Sequence, residues 1–301
     1  LIMDRFYSIF VDSDDDSSLS YLRKKKQRKC IKDAISSHCP YFATSLMQKI
    51  TTLAKKLVKE AGTKAHQAFL AGNLGSSIKL DHSYLSQYDG QIEKVIRKKI
   101  NQTFPDHAIH GEEFGGEYNK AGYTWVIDPI EGTTNFVSGI SLFCSMIAVV
   151  KSGKVVSSAI YDPFSRHTFW AEKGAGAFID NKRFTARSVA SLKECTLIID
   201  SGRDFQKKQL VNRYLADHGT KYRSLRHYGC MASSVKYATW QQPLITIILG
   251  VKDHDIAAPS LILQEAGCDI FDPFGKEWHL SSESDFVATG PGIKNKVLET
   301  L

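Results

Sequence analysis

Apolar residues recur at intervals of three or four positions in two early segments of the chain. One helix is therefore predicted over residues 45–71 and another over residues 89–102, because this period places apolar side chains on one helical face. The apolar positions are Leu46, Ile50, Leu53, Leu57 and Val58 in the first helix, and Ile92, Val95, Ile96 and Ile100 in the second. Each helix should bury that face in the core.

Four apolar runs follow, each bounded by turn signals such as KSGK and YDPFS. They predict strands that meander through one antiparallel sheet, over residues 123–127, 142–150, 155–161 and 168–171. After residue 185, strands and helices alternate instead. The predicted strands there cover residues 196–200, 222–225 and 245–249, and the predicted helices cover residues 205–218, 231–239 and 256–265.

This order of elements predicts an α/β fold with two halves. Residues 45–184 are expected to form an α+β half, and residues 185–301 are expected to form an α/β half. Residues 1–44 show no sustained period. They are therefore predicted to be an N-terminal extension with little order.

Composition narrows the class of protein. With 301 residues, 43% of them hydrophobic and 24% charged, the chain is long enough to bury a large core. Its longest apolar runs are much shorter than the ~20 residues of a membrane span, and its first residues do not resemble a secretory signal. We therefore expect a cytoplasmic protein without membrane contact. Six cysteines without a C-x-x-C pair predict reduced thiols rather than zinc or disulfides.

The net charge of +7 is spread along the chain, and its densest cluster is the basic run RKKKQRK at residues 23–29. Such a run could bind nucleic acid or anionic lipid, but no aromatic interleaving or nucleic-acid motif accompanies it. We interpret it as a solvated terminal segment and expect no nucleic-acid partner. The mild positive balance favours a phosphorylated substrate.

The segment YTWVIDPIEGTTNF, residues 123–136, places two carboxylates where an apolar strand should end. Pro129 blocks further ladder pairing, and in a helix-like turn Asp128 and Glu131 would converge. Two close carboxylates repel each other unless a cation lies between them, and oxygen ligands suit Mg²⁺. The alternative interpretation is a capped turn, in which Asp128 caps and Thr133 packs.

Two further acidic segments could contribute to such a site. Glu112 and Glu113 precede a glycine pair in HAIHGEEFGG, and Asp255 begins a predicted helix in DHDIAAPSLILQEAG. Each also has a structural interpretation, a solvated turn for the glutamates and an N-cap for Asp255. Directly after Glu131, Gly132 and Thr133 predict a helix start, where free N–H groups favour an anion.

Together these segments resemble the inositol monophosphatase family of metal-dependent, lithium-sensitive sugar-phosphate phosphatases. The resemblance covers residues 45–301 and implies a layered αβαβα fold. The elements that carry it are GEE at 111–113, DPIEGTTNF at 128–136, HDIAA at 254–258, EAG at 265–267 and, in altered form, KLDHSYLSQYD at 79–89.

The resemblance implies two or three Mg²⁺ ions as cofactor. It assigns the first ion to Glu113, Asp128 and the carbonyl of Ile130. It assigns the second ion to Asp128, Glu131 and Asp255.

The resemblance also implies the groups that act on water and substrate. Thr133, supported by Asp89, and Glu113 would orient and deprotonate the attacking water. The backbone of Gly132 and Thr133 would receive the phosphate, and Glu131 would also face the substrate. No covalent phosphoenzyme is needed, because no cysteine lies in these segments and no G-x-S-x-G elbow is present.

Three positions depart from the family pattern. Glu131 stands where the family has aspartate, His254 stands where it usually has an aromatic residue, and Ser86 replaces threonine in an element that has also lost its proline. Because Mg²⁺ tolerates little distortion of its octahedron, we expect a shifted or weaker second metal site, or a compensating change in the backbone.

The expected substrate is a small phosphorylated metabolite. Ile248 stands where members specific for inositol phosphate have a glutamate that contacts sugar hydroxyls, and the forms RHYG at 226–229 and HDIAA slightly favour members acting on histidinol phosphate. A homodimer is common in the family, and the sequence does not fix it. The competing hypothesis is a weakened family member that acts as a binding or regulatory protein, motivated by Glu131 and the basic run.

Overall fold

A computed structural model of the chain describes residues 40–72, 74–78, 84–202, 204–281 and 283–301. Most of the predicted extension at 1–44, including the basic run, lies outside these residues, as do residues 79–83 of the altered family element. The chain divides into two compact units, Leu1–Lys49 and Ile50–Leu301. The second unit contains both large sheets and the candidate site.

The described residues form seven α-helices and fourteen β-strands. The helices are α1 (Pro40–Leu70), α2 (Gln87–Thr103), α3 (Thr133–Val137), α4 (Phe205–His218), α5 (Ala232–Thr239), α6 (Asp253–Glu265) and α7 (Lys294–Leu298). The strands are β1 (Ser76–Ile78), β2 (Tyr84–Ser86), β3 (Ala108–Gly111), β4 (Tyr123–Glu131), β5 (Cys144–Lys151), β6 (Lys154–Asp162), β7 (His167–Glu172), β8 (Gly176–Ile179), β9 (Lys182–Phe184), β10 (Thr196–Ser201), β11 (Ser224–Arg226), β12 (Leu244–Lys252), β13 (Asp269–Phe271) and β14 (Glu283–Thr289). Within the described ranges, no helix combines the length and apolar character that crossing a bilayer requires.

The first large sheet contains β3 to β9 in sequence order. Strands β4 to β7 meander antiparallel, as predicted. Strands β8 and β9 continue the meander and were not predicted. Strand β3 was not predicted, and it pairs with β4 in parallel. This parallel pairing brings the residues after β3 to the edge of the sheet where β4 ends, because parallel strands have their carboxyl ends on the same side.

The second large sheet has the order β11-β10-β12-β14-β13. Strands β10, β11 and β12 are parallel, as expected from alternating strands and helices. Strand β14 is antiparallel to both of its neighbours. Strands β13 and β14 were not predicted, because neither segment carries a long apolar run.

Helices and sheets stack in five alternating layers. On the outer face of the first sheet, Thr51 of α1 hydrogen-bonds Ser157 of β6 at 2.8 Å. Helices α5 and α6 lie between the sheets, and their buried residues share one core with both. On the far face of the second sheet, Val211 of α4 and Val297 of α7 join a separate core. The predicted αβαβα layering is therefore confirmed.

Candidate active site

The segment between β4 and α3 differs from the predicted helix-like turn. Strand β4 continues to Glu131 instead of ending at Asp128, with a shift in its pairing to β5 between these two residues. Gly132 then has a φ of 86°, and a Cβ atom there would lie 3.1 Å from the carbonyl oxygen of Leu142. Glycine is therefore favoured at this turn. Helix α3 begins at Thr133, as predicted.

Asp128 is buried, with 2% of its surface exposed. Its Oδ1 atom makes no hydrogen bond within the part of the chain that the structure describes. Burial raises the pKa of Asp128, and the charges of Glu112, Asp255 and Asp89 raise it further. Acidic groups from three other segments therefore face this carboxylate.

Asp89 enters the site from the first turn of α2. Its Oδ2 atom accepts a hydrogen bond from the Ser86 backbone N–H at 3.1 Å, so the pair forms a capping box. Its Oδ1 atom lies 3.5 Å from Thr133 Oγ1. The Thr133 hydroxyl also lies 2.9 Å from the Ile130 carbonyl oxygen. The replacement of threonine by Ser86 thus preserves the cap that positions Asp89.

Glu112 and Glu113 follow β3 in a loop that a buried carboxylate holds in place. Glu93 of α2 accepts a hydrogen bond from the Glu113 backbone N–H at 2.8 Å and pairs with Arg97 at 2.7 Å. A Cβ atom on Gly111 would lie 2.0 Å from Glu93 Oε1, so any other residue there would displace the carboxylate that holds the loop. Glu93 was not predicted as part of the site, because its position in the helix indicates only that it lies near the buried face.

The loop brings a second carboxylate into the site beside the predicted one. Carboxylate oxygens of Asp89, Glu112 and Glu113 lie within 4.8 Å of one another. Glu112 raises the pKa of Asp128 more than Glu113 does, and it also raises the pKa of Asp255. The sequence analysis assigned metal binding to Glu113 and no role to Glu112. A glutamate doublet in a loop does not indicate which side chain points inward.

Asp255 lies in the first turn of α6. Its Oδ2 atom accepts a hydrogen bond from the Lys252 backbone N–H at 3.1 Å, so Asp255 caps the helix from its third position, whereas Lys252 occupies the N-cap position predicted for Asp255. Burial raises the pKa of Asp255, His254 opposes the shift, and Glu112 adds to it. Because 30% of its side chain remains exposed, Asp255 can cap the helix and also face the carboxylate group.

Glu131 is engaged with a different set of groups. Its Oε1 atom accepts a hydrogen bond from the Met231 backbone N–H at 3.0 Å, and its Oε2 atom lies 3.9 Å from Cys144 Sγ. Ligand atoms of Glu131, Cys144 and Cys230 lie within 4.8 Å of one another. Burial raises the pKa of Glu131, and Cys230 and Asp128 raise it further. The two thiols were not predicted, because they are distant in sequence.

Ile248 lies in β12 with 0% of its surface exposed. It pairs with Phe286 just before a shift in the register between β12 and β14. The position at which inositol-specific members are expected to carry a glutamate is therefore part of the core in this chain.

Comparison with known proteins agrees with the fold. A model of the inositol monophosphatase family matches residues 46–301. "Nus factor SuhB" of Pasteurella multocida is 29% identical over 260 residues, which cover 85% of this chain and 96% of that protein. A Thermotoga maritima protein named fructose-1,6-bisphosphatase/inositol-1-monophosphatase is 31% identical over 206 residues, covering 68% and 78% of the two chains.

Solved structures show the same similarity. An IMPase from Thermotoga maritima superposes with a TM-score of 0.72 at 27% identity, over 81% of this chain and 93% of that one. The suhB protein of Bartonella henselae shares the fold, with a TM-score of 0.72 at 24% identity, over 81% and 96% of the two chains. With the match of the family model across residues 46–301, these similarities show that the chain belongs to the inositol monophosphatase family.

Proposed function

We propose that this chain is a Mg²⁺-dependent phosphomonoesterase that hydrolyses a small phosphorylated metabolite by direct attack of water. One observation carries the proposal: carboxylates from three other segments of the chain surround the buried Asp128. Membership in the family, and relatives named as phosphatases, support the same conclusion.

The residues present fit a divalent cation. Asp128 Oδ1 is buried without a hydrogen bond, and the surrounding carboxylates raise the pKa of Asp128. A cation among them would satisfy the buried oxygen and neutralise the repulsion. The donors are carboxylate and carbonyl oxygens, which Mg²⁺ prefers. When bound, such an ion polarises the phosphate and lowers the pKa of water.

We assign the cation to Asp128, Asp255, the Ile130 carbonyl and the glutamate pair Glu112 and Glu113. Glu113 is the member of the pair that the resemblance implies, and both glutamates raise the pKa of Asp128. Glu113 remains within 4.8 Å of Glu112 and can orient water from there.

Thr133 is suited to position the attacking water. Its hydroxyl has one proton, and the Ile130 carbonyl oxygen lies 2.9 Å away to accept it. The lone pairs of the hydroxyl can then accept a hydrogen bond from water. Asp89 lies 3.5 Å from the same hydroxyl. It can accept the hydroxyl proton in turn, while the hydroxyl oxygen takes up the proton that the attacking water loses. Positioning of this kind provides much of the catalysis in phosphoryl transfer.

The substrate is proposed to be a small phosphomonoester received by the backbone of Gly132 and Thr133. The buried Ile248 cannot accept hydrogen bonds from sugar hydroxyls, so recognition of the alcohol part must come from other residues. Fructose bisphosphate and inositol monophosphate are candidates through the names of relatives, and histidinol phosphate is a candidate through HDIAA at 254–258.

The proposal predicts phosphate release that depends on Mg²⁺. The measurement is inorganic phosphate released from fructose 1,6-bisphosphate, inositol 1-phosphate and histidinol phosphate, with and without Mg²⁺. We expect turnover of at least one substrate, and its loss on chelation with recovery on adding Mg²⁺. Absence of release from a broad panel of phosphomonoesters in ample Mg²⁺ would refute the proposal.

Glu131→Asp is predicted to increase activity and lower the stability of the protein. The shorter side chain cannot keep the 3.0 Å hydrogen bond from the Met231 N–H, so its carboxylate becomes available to a second ion. We expect the Mg²⁺ concentration for half-maximal activity to fall about tenfold, which equals about 1.4 kcal/mol. The unpaired N–H should reduce the free energy of unfolding by about 1–3 kcal/mol.

Glu131→Gln is the matched control for this prediction. It keeps an acceptor for Met231 but removes the charge, so stability should be retained while the response to Mg²⁺ does not improve. If Glu131→Asp lowers kcat at saturating Mg²⁺, Glu131 itself belongs to a specialised metal site and the prediction is wrong.

A second candidate function is binding or regulation without efficient turnover. The engagement of Glu131 with Met231 favours it, and so do relatives from Pasteurella multocida and Vibrio cholerae that are named as Nus factors. Calorimetric titration with Mg²⁺ separates the two functions. Failure to bind Mg²⁺ at millimolar concentration would favour the regulatory role, whereas binding with turnover would exclude it.

A further inference from the structure

Two histidines and a carboxylate lie together beside the acidic group. His110 lies in β3. Asp253 and His254 are the first two residues of α6. One ligand atom from each of the three residues lies within 4.8 Å of the others. We propose that His110, Asp253 and His254 bind a transition-metal ion of the zinc class, at a site separate from the Mg²⁺ site.

The hydrogen bond of His110 fixes which ring nitrogen is available. Its Nδ1 atom lies 2.8 Å from the Gly116 carbonyl oxygen, and a carbonyl can only accept, so Nδ1 carries a proton. Nε2 lies 3.3 Å from Asp253 Oδ2. In a neutral His110 ring, the lone pair of Nε2 would face this carboxylate oxygen. The two atoms would repel each other unless a cation lies between them. A ring N–H donated to a backbone carbonyl is the usual support of a metal-binding histidine.

His254 provides a second nitrogen on the other side of Asp253. It is 8% exposed, and its Nδ1 atom is buried without a hydrogen bond in the described part of the chain. This atom lies 3.4 Å from Asp253 Oδ1. An unsatisfied buried nitrogen is costly, and a metal ion would give it a partner.

Asp253 is held in position by groups that do not compete for the ion. The Tyr118 hydroxyl donates to Oδ2 at 2.6 Å, and the His254 backbone N–H donates to Oδ1 at 2.9 Å. Hydrogen bonds of this kind orient a ligating carboxylate and tune its affinity. The carboxylate is therefore fixed between the two imidazole rings before any ion binds.

The spacing matches the expected coordination. Zinc bonds of about 2.0–2.2 Å in a tetrahedron place neighbouring ligand atoms about 3.3 Å apart. His110 Nε2 lies 3.3 Å from Asp253 Oδ2, and His254 Nδ1 lies 3.4 Å from Asp253 Oδ1. Each nitrogen is therefore at this spacing from one oxygen of the carboxylate, which can bind the ion through both oxygens. Three protein ligands also leave a fourth position open, as in catalytic zinc sites.

Donor chemistry separates this site from the neighbouring one. Imidazole nitrogen suits Zn²⁺ and Co²⁺, whereas Mg²⁺ prefers oxygen. The two sites are nevertheless adjacent, because His254 Nε2 lies 3.7 Å from Asp255 Oδ1. The inference does not depend on phosphatase activity, since it concerns binding of the metal alone.

The experiment is a titration of the full chain with Co²⁺ in excess Mg²⁺, which occupies the oxygen sites. We expect one Co²⁺ per chain, with visible d–d absorption of a four-coordinate ion and displacement by Zn²⁺. His110→Asn keeps a donor near Nδ1 and removes Nε2, and His254→Gln removes Nδ1. Each should weaken binding at least about 100-fold, more than the loss of a supporting hydrogen bond.

Two further variants keep the test specific. Tyr118→Phe removes only the hydrogen bond to Asp253, and we expect binding about tenfold weaker. His167→Asn alters a histidine that pairs with Asp180 at 2.7 Å outside this site, and binding should be unchanged. If the two ligand variants do not fold, as judged by circular dichroism, Tyr118→Phe decides the outcome.

Several outcomes would overturn the inference. One is the absence of Co²⁺ binding in excess Mg²⁺. It would mean that protons on the two histidine rings, and not a metal ion, balance the charge of Asp253. Another is binding that survives both histidine variants and disappears in Asp128→Asn. A strong near-ultraviolet cobalt–thiolate band would instead place the ion at Cys144 and Cys230. Loss of phosphate release with intact Co²⁺ binding would refute the proposed function alone.

Discussion

Asp128→Asn is expected to abolish Mg²⁺-dependent phosphate release and to stabilise the metal-free protein. The variant removes the charge of the carboxylate that the other acidic groups face. We expect kcat to fall at least about 1,000-fold, since a bound cation supplies several kcal/mol to the transition state and about 4 kcal/mol equals this factor.

The gain in stability has a separate cause. Burial and the charges of Glu112, Asp255 and Asp89 raise the pKa of Asp128, so its ionised form is unfavourable without metal. Each pKa unit corresponds to about 1.4 kcal/mol. Relief of one unit would raise the Tm of the metal-free protein by about 2–4 °C in a domain of this size.

The measurements are phosphate release and thermal unfolding, each with and without Mg²⁺. Mg²⁺ should raise the Tm of the original protein, because a ligand stabilises the state that binds it, and it should not raise the Tm of the variant. Asp217→Asn, at an exposed position of α4, is the control and should alter neither quantity. Retention of most activity in Asp128→Asn would show that the proposed metal site is wrong.

The sequence predicted elements whose signals are local. Helix α4 was predicted at its observed bounds, Phe205–His218, and in the structure Asp204 caps its start. The start of α3 at Thr133 was predicted from Gly132, whose positive φ the turn requires. Local backbone chemistry determines such boundaries, so a single segment is sufficient to predict them.

Pairing between distant segments could not be predicted in the same way. Strand β3 has four residues, too few for a periodic signal, and its parallel place beside β4 depends on a segment twelve or more residues away. The extension of β4 to Glu131 depends on β5, with which it pairs across a bulge. A bulge of this kind re-aims side chains.

The same distinction applies to the site. The sequence brought Asp89, Asp128 and Asp255 into one hypothesis through the family resemblance, and the structure brings their charges together. It did not predict that Glu112 faces Asp128, or that Glu131 turns to Met231. Side-chain direction in a loop or at a bulge depends on contacts with distant residues, here Glu93 and Met231.

Phe136→Ala is expected to have the largest effect on stability. Phe136 ends the run DPIEGTTNF and is 0% exposed. Its ring contacts Phe143 edge-on, with centroids 5.0 Å apart, and it also meets Phe69 at 6.1 Å. Removing a buried phenylalanine leaves a cavity and costs about 3–5 kcal/mol. The Tm should fall by an amount on the order of 10 °C.

This substitution should also reduce activity at temperatures where the variant is folded. Helix α3 has only five residues, so it depends on packing of Phe136 rather than on its own stability. The Phe136 ring also meets Tyr88, with centroids 6.4 Å apart, and Tyr88 precedes Asp89. Loss of the ring therefore loosens both Thr133 and Asp89, the pair proposed to handle the attacking water.

Two variants test this explanation against general loss of hydrophobic surface. Phe136→Leu keeps most of the volume and should cost less than about 1.5 kcal/mol, with most activity retained. Phe274→Ala removes a ring that is 84% exposed, and it should change stability by no more than about 0.5 kcal/mol.

Chemical denaturation gives the free energy of unfolding for each variant. The aromatic cluster does not support the site if Phe136→Ala lowers the free energy of unfolding by less than about 1 kcal/mol. The same conclusion follows if Phe136→Ala lowers this free energy less than Phe136→Leu does. If it is destabilised as expected but retains full kcat at low temperature, Thr133 and Asp89 are held by other contacts, and the packing of Phe136 contributes to stability alone.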